Sequence, residues 1–532
     1  MAVNETIEIG CSITERGFQP LIKNVSPYEN AEAWLCCYGD VMNHEGKSLE
    51  SEEVYDLFQQ CGEAICDSLT GAYVFILYLK RTTELYVFSD SLGSPINLFY
   101  FFQEGSVFVS SSLMSLLENS GIDRHLNKSV VPSFLLNGYV VGHQTLIECV
   151  QKLVSGYHLH YLNGQTTLRP TRYCDKLVPV DEAMQKWDTV LSENVNRFRS
   201  SKSHTTIALS SGFDSNYILH ALSVGSSKPI NGYSIGGNFI GNELPVVEKI
   251  ASFYPNIILH KANTDSSTFF SYPEIVRRLD GQIYERGIFL QYELAQAMAN
   301  NGEEDVVCGE CANEVMHLLY NDNDKTDLMP VDSLLYGHDP YICASYVILK
   351  KSGILMNSFG IRSHYPFVDS TFKSLCSALR YINGYDKCYH ILNCQKQLKP
   401  AIFQLLVNRG GATKLESMLD ESNRAVLRTL MQNNQYYRQY GKWLREKKTP
   451  AQNVVMRTAN YNLHIRNPFR AVQSEIRTRK VEWEEKLKTE LNISDDVMMS
   501  CLYLDIFEKM YLENRSLCNV SQMNLNDVYT FF

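Results

Sequence analysis

The stretch IALSSGFDSN, Ile207 to Asn216, changes character midway. The apolar run "TTIALS" (Thr205 to Ser210) reads as a buried strand, and "NYILHALS" (Asn216 to Ser223) returns at helical spacing. Between them lie small residues, hydroxyls and one carboxylate, Asp214. A strand, a turn of small residues and a helix start together make a cradle for an anion. Backbone N–H groups point out of the helix start, and the helix dipole adds positive potential. Gly212 permits close backbone approach, and Ser210, Ser211 and Ser215 supply hydroxyl donors. The turn carries no lysine, so it is not the G-x-x-x-x-G-K-[ST] loop. An acid in that position suits Mg²⁺ as the neutralising charge. The plain alternative is a strand-to-helix turn with a serine cap.

Working outward, strand and helix patterns alternate after residue 180. The helical "DEAMQKWDTVLSENVNRFR" precedes the strand; "PINGYSIGG" and "NIILHKA" read as further strands, and "EDVVCGE" follows the helix "FLQYELAQAMANN". That rhythm predicts a parallel sheet covered by helices. Asn321 to Asp327 reads as a surface loop, and the chain beyond about residue 340 as mostly helical. The front part has a different texture. "AEAWLCCYGDV", "GAYVFILYLKRTTELYVFSD" and "INLFYFFQEGSVFVSSS" predict antiparallel strands, with a hairpin at Glu104-Gly105, and "EEVYDLFQQCGEAICDSL" a helix. We expect two domains, 1–178 and 179–532, the first a layered sandwich.

Composition narrows the partners. The 532 residues with 45% hydrophobic content suffice for more than one core. A net charge of −10 argues against a general nucleic-acid or anionic-membrane binder. Glu5 and Glu8 break any apolar signal segment, and no window is apolar enough to span a bilayer. With 15 cysteines and no export signal, the expected setting is the reducing cytoplasm. Cys308 and Cys311 form a C-x-x-C without a second pair, which reads as two buried thiols rather than a zinc site. Arg438, Lys442, Arg445, Lys447, Lys448, Arg457, Arg466 and Arg470 form a basic tract. It reads as a solvated helical face, or alternatively as a rim for an acidic partner.

"LSSGFDS" resembles the L-S-G-G-x-D-S pyrophosphate loop of asparagine synthetases, β-lactam and carbapenam synthetases and lasso-peptide cyclases. The resemblance continues in order. "YGDVMNH" (Tyr38 to His44) is similar to N-G-E-I-Y-N-H, and "SDSLGSPINLFY" (Ser89 to Tyr100) to R-D-x-x-G-x-x-P-L-Y-Y. "YSIGGNFIGNE" (Tyr233 to Glu243), "CGECANEV" (Cys308 to Val315) and "GIRSHYPFVD" (Gly360 to Asp369) match the family's later segments. The resemblance implies an α/β/β/α amidotransferase-like sandwich followed by a parallel-sheet ATP pyrophosphatase domain with a helical C-terminal part. It implies ATP and Mg²⁺, adenylation of a carboxylate, attack by an amine, and release of AMP and pyrophosphate. It places Leu209 and Ile235 at adenine and Ser210, Ser211, Gly212, Ser215 and Gly309 around the phosphates. Asp214, with Asn313 and Glu314, falls at the metal. Glu310 falls at the amine, and Arg409 or Lys414 at the phosphate charge.

Four departures matter. Ala2 stands where working glutaminase domains have the nucleophilic cysteine, and Tyr38 replaces the asparagine of N-G-E. Asn313 replaces an acidic metal ligand, and Gly411 falls where the family has the lysine of W-R-x-K. "GNE" at Gly241 to Glu243 is similar to the β-lactam branch, whereas Glu310 matches the asparagine synthetase branch. The expectation is therefore a carbon-nitrogen ligase without glutaminase activity that closes an amide within one substrate: a macrolactam, lasso-peptide or β-lactam cyclase of antibiotic biosynthesis. Its partners would be a peptide or small-molecule substrate, with a precursor peptide and processing protease for the lasso type. An ammonia-using asparagine synthetase-like enzyme and an inactive scaffold are the alternatives.

Overall fold

The computed structural model describes residues 6–90, 94–140, 142–171, 177–199, 203–237, 242–316, 340–383, 387–406, 419–448, 493–513 and 523–529. The predicted surface loop at 321–327 lies outside them.

The front of the chain stacks two antiparallel sheets. One orders its strands Gln151–Lys152, Phe99–Gln103, Ser106–Ser110, Gly10–Thr14, Gly17–Pro20. The other runs Gln165–Pro170, Tyr157–Leu162, Glu84–Ser89, Tyr73–Leu79, Ala33–Gly39, Tyr28–Glu29. Alternate residues of the Ala33–Gly39 strand serve two cores, because successive side chains point to opposite faces. Trp34 and Cys36 meet Cys11, Val74, Val107 and Val109 between the sheets. Ala33 and Leu35 face the helix Ser51–Cys61 through Val54, Tyr55 and Phe58. The helix Leu113–Ser120 covers the outer face of the first sheet. The result is the α/β/β/α sandwich that the resemblance implied. The Glu104-Gly105 hairpin has positive φ at both turn residues, as a type I′ turn requires.

The rear sheet is parallel throughout, ordered Ile257–Thr264, Ile230–Gly237, Thr205–Ala208, Asp305–Val307, Arg362–His364. Chain order thus runs outward one way from Thr205–Ala208 and then restarts on its other side at Asp305–Val307. At such a reversal the loops leaving the two central strands diverge and open a crevice at their C-terminal ends. The loop at 209–212 and the turn at 308–311 leave those strands there. The helix Gln435–Lys448, holding the first half of the basic tract, buries Tyr436 and Leu444 and exposes Arg438 and Lys442, which gives a solvated basic face. Arg457, Arg466 and Arg470 lie outside the described residues. No helix among the described residues is long and apolar enough to cross a membrane.

Front and rear share a joint. Phe134 packs on Tyr503 at 5.6 Å between ring centroids, inside a core common to both parts. His364 Nδ1 lies 2.6 Å from Asp40 Oδ1 and its Nε2 3.3 Å from Asp305 Oδ1. Thr70 Oγ1 donates to Asp369 at 3.1 Å, and Arg197 reaches the same carboxylate at 3.2 Å.

Candidate active site

The site is built on the restart of the sheet. Leu209 N–H still donates to Tyr233 O at 2.8 Å, so sheet pairing persists to the edge of the turn and holds it in place. Ile235 lies two residues further along that neighbouring strand, paired with Ala262. The turn then closes on itself. Ser210 Oγ lies 3.0 Å from Ser215 Oγ and accepts from Gly212 N–H at 3.1 Å. Asn216 Nδ2 donates to the Ser210 and Gly212 carbonyls at 2.9 and 2.7 Å. The helix Phe213–Ser223 starts with Gly212 at its N-cap and no side-chain cap. The serine-capped turn considered as the plain alternative is therefore not what forms here.

The turn at 308–311 leans on this helix start. A Cβ on Gly309 would sit 3.2 Å from Ser215 N and 3.4 Å from Asp214 Cβ, so the glycine lets the two turns approach closely. Cys311 adopts φ 66 before the short helix Ala312–Val315. Cys308 and Cys311 are both buried, as read, and burial pushes both thiols up. Glu310 accepts from the Cys308 thiol; burial raises its carboxyl, and the Asp214 charge adds to the rise. Burial raises Glu314 as well, again with a contribution from Asp214. Glu310 and Glu314 thus both feel the negative charge of Asp214.

Asp214 carries the surprise. Its Oδ2 lies 2.5 Å from Lys387 Nζ, and its Oδ1 3.3 Å from His390 Nε2. Burial pushes the carboxyl up, but the Lys387 ammonium and the His390 hydrogen bond outweigh it and hold it at about 2. Both partners come from the helix Cys388–Gln397 and the residue capping it, more than 170 positions away in sequence. Glu243 is a second addition. It accepts from Ser211 N–H at 2.8 Å, although only its place in the "GNE" motif marked it beforehand. Arg409 and Lys414 lie outside the described residues, as does the Asn313 side chain.

The geometry suits a polyphosphate. Gly212 leaves the turn open apart from Ser210 Oγ, the helix start is uncapped, and the buried Ser211 Oγ has no hydrogen-bond partner in the structure. A resident divalent ion is not matched in the same way. Among the described residues no three His, Cys, Asp or Glu side chains are grouped to hold one. The carboxylate that the resemblance assigned to the metal instead faces an ammonium and an imidazole.

Two family models match the chain. A glutamine amidotransferase domain covers residues 13–174 and an asparagine synthase domain residues 186–338. No curated protein matches. Among solved structures, the chain is similar to a structure of the allosteric regulatory enzyme of purine biosynthesis, at 10% identity and a TM-score of 0.21, covering 51% of this chain and 72% of that one. It is also similar to the B. subtilis glutamine phosphoribosylpyrophosphate amidotransferase complexed with ADP and GMP, at 10% identity and 0.21, covering 60% and 78%.

Proposed function

Because the chain belongs to the asparagine synthetase-like family, with an amidotransferase-type domain ahead of its synthase domain and hence the build of an ATP-using amide ligase, we propose that it closes an amide within one substrate, through an acyl-adenylate and without hydrolysing glutamine. The observation that supports this reading is a buried, protonated Cys11 in the front domain beside an open, uncapped turn at 210–215 in the rear one. Cys11 is fully buried in the strand Gly10–Thr14, where burial pushes its thiol well up. The amine must then come from elsewhere, and a substrate that carries its own amine supplies it.

The chemistry is a two-step transfer. A substrate carboxylate oxygen bonds the α-phosphorus of ATP, and the bond to the β-phosphate bridge breaks to release pyrophosphate. The amine nitrogen then bonds the acyl carbon, AMP leaves with the electron pair of the C–O bond, and the nitrogen loses a proton. Glu310 is the base for that proton, since a carboxyl raised by burial is better matched to neutral pH than a solvated one. The turn at 210–215 receives the pyrophosphate as charge develops on it. In the family Mg²⁺ commonly accompanies the nucleotide and shares that charge.

AMP formation from ATP, with candidate peptide or amino-acid substrates and no glutamine, tests the reading. Asp214→Asn should lower it by about 100-fold or more, the scale of removing a positioned electrostatic group, because that carboxylate holds Lys387 and His390 against the turn. Unchanged turnover in that variant removes the assignment. Glu310 also favours a second reading, amidation of aspartate by free ammonium, and asparagine formed from those two compounds would establish it. A chain that neither binds ATP nor forms AMP with any of these substrates is a scaffold of the same fold.

A further inference from the structure

A cavity of about 320 Å³ lies where the front and rear domains meet, and no residue of the turns at 210–215 and 308–311 lines it. Ile7, Glu8 and the helix Leu113–Ser120 form its front wall; the ends of the helices Tyr272–Arg278 and Pro340–Ser358 form its rear wall. Ligand sites favour such junctions between domains. The volume holds a molecule of several heavy atoms, well beyond a single ion.

The charge around the cavity is negative. Glu8, Glu118 and Asp280 line it, as do Arg277 and Arg278. Both arginines are already committed. Glu274, 2% exposed, pairs with Arg277 at 2.6 Å and with Arg278 at 2.7 Å, and Arg278 also donates to Ser358 O at 2.5 Å. The carboxylates are met by neutral donors: Glu8 accepts from Ser115 Oγ at 2.9 Å, and Asp280 from the Leu113 N–H and from the Tyr511 hydroxyl at 3.4 Å. Burial pushes the Asp280 carboxyl up to about 7; the Leu113 N–H holds it down, and the Glu8 charge adds to the rise. The helix ending at Ser358 brings the negative end of its dipole to the same place.

Asn357 is an independent sign of a ligand. It lines the cavity, is 6% exposed and donates to Ile7 O at 2.9 Å, while its buried Oδ1 has no hydrogen-bond partner in the structure. An unmet buried acceptor costs about 1–3 kcal/mol and calls for a donor. The remaining wall is apolar, with Ile7, Ile96, Met114 and Ile354. A hydrated metal ion gains nothing from that wall, whereas methylene groups do.

We propose that this cavity binds a short aliphatic diamine, with one ammonium among Glu8, Asp280 and Asn357 Oδ1, the other at Glu118, and the methylenes along the apolar wall. The ligand then bridges the domains, because Glu8 and Glu118 belong to the front and Asp280 and Asn357 to the rear. The ligase reading uses none of these side chains, so the two stand or fall separately.

The test is calorimetric titration of putrescine, and of n-butylamine for comparison, into the full chain. Putrescine should bind at one site, at least about tenfold more tightly than the monoamine, which lacks one charged contact. Glu8→Gln should weaken putrescine by about tenfold for the same reason, and Glu118→Gln by several-fold, since that position is exposed. A melting curve shows whether Glu8→Gln folds; where it does not, Glu118→Gln decides. Putrescine binding that is absent up to about 10 mM overturns the proposal. So does binding that both folded variants leave unchanged, or that spreads over several weak sites as an acidic surface would give. Equal affinity for the two amines overturns it as well.

Discussion

Cys11 faces Val109 on one neighbouring strand and Pro20 on the other, with no exposed surface, and Cys149 stands exposed on the same domain. Thiolate, not thiol, attacks electrophiles, and burial keeps Cys11 protonated. Iodoacetamide on the native protein should therefore modify Cys149 and spare Cys11, as peptide mass spectrometry would show. Glutamine should release no glutamate above background. Glutaminase activity abolished by Cys11→Ala would sink both the front-domain reading and the substrate amine. Asp214 supplies a pH test at the same scale. Its carboxyl is lowered from 3.8 to about 2, so its contribution to stability is present above the unfolded value and is lost as pH falls through the folded one. Between pH 4 and 2 the wild type should lose about 2 kcal/mol that Asp214→Asn does not, read from denaturant melts. Single residues of the turn were legible because their chemistry is local: a carboxylate and three hydroxyls on consecutive turns of chain. Lys387 and His390 were not. They sit in a stretch whose spacing says only "helix", and nothing in Asp214's own neighbourhood points across 173 positions to them.

The elements show the same division between local and distant information. The strands Tyr73–Leu79 and Glu84–Ser89 and the hairpin at Glu104-Gly105 follow from alternation and turn residues and form where expected. The hairpin Tyr157–Leu162 with Gln165–Pro170 was missed, although Asn163-Gly164 is a strong type I′ turn signal and both residues have positive φ. The strand Arg362–His364 was missed for a different reason. It is three residues long and gains its pairing from Asp305–Val307, which no local pattern reveals. The turn after Asp305–Val307 yields a prediction about how two elements meet. Gly309→Ala would place a methyl 3.2 Å from Ser215 N and 3.5 Å from the Asp214 carbonyl carbon, both backbone atoms at the start of the Phe213–Ser223 helix. The second is an ordinary contact, but Ser215 N cannot rotate away, so the helix start must give by a few tenths of an ångström. The expected cost is about 1–3 kcal/mol of stability, with a larger fractional loss of ATP or pyrophosphate binding if the start of that helix holds the phosphates as proposed. Calorimetry and thermal melting separate the two effects. Normal binding in a normally stable variant would mean that the two turns do not need to touch.

At the scale of the whole molecule, the question is how the front domain is held to the rear one. The joint is built into the core rather than laid over it. A Cβ on Gly353, in the helix Pro340–Ser358, would fall 2.1 Å from Pro95 O of the front sandwich, and the buried Lys350 of that helix donates to Asn97 Oδ1 at 3.0 Å. His364 is the charged centre of the joint. It ends the last strand of the parallel sheet, stacks on Phe198 at 4.9 Å, and lies between Asp40 of the front domain and Asp305 of the rear, with Tyr38 and Arg362 alongside. Burial pulls its pKa down, but the two aspartates prevail and raise it from 6.5 to about 9. A raised histidine stabilises the fold fully below its unfolded pKa and loses that contribution as pH rises through the folded one. From pH 6.5 to about 9.5 the loss is at most about 3 kcal/mol. Lys350 runs the other way. Burial lowers its pKa to about 7, so folding there releases a proton and becomes more favourable as pH rises from 7 towards the unfolded lysine value. The informative quantity is therefore the difference between wild type and His364→Gln, which keeps Lys350 constant. That difference should shrink steadily from pH 6.5 to 9.5 in parallel melting curves. A difference that stays flat over this range would mean that the imidazole is neutral at the joint and that the domains are held by packing alone.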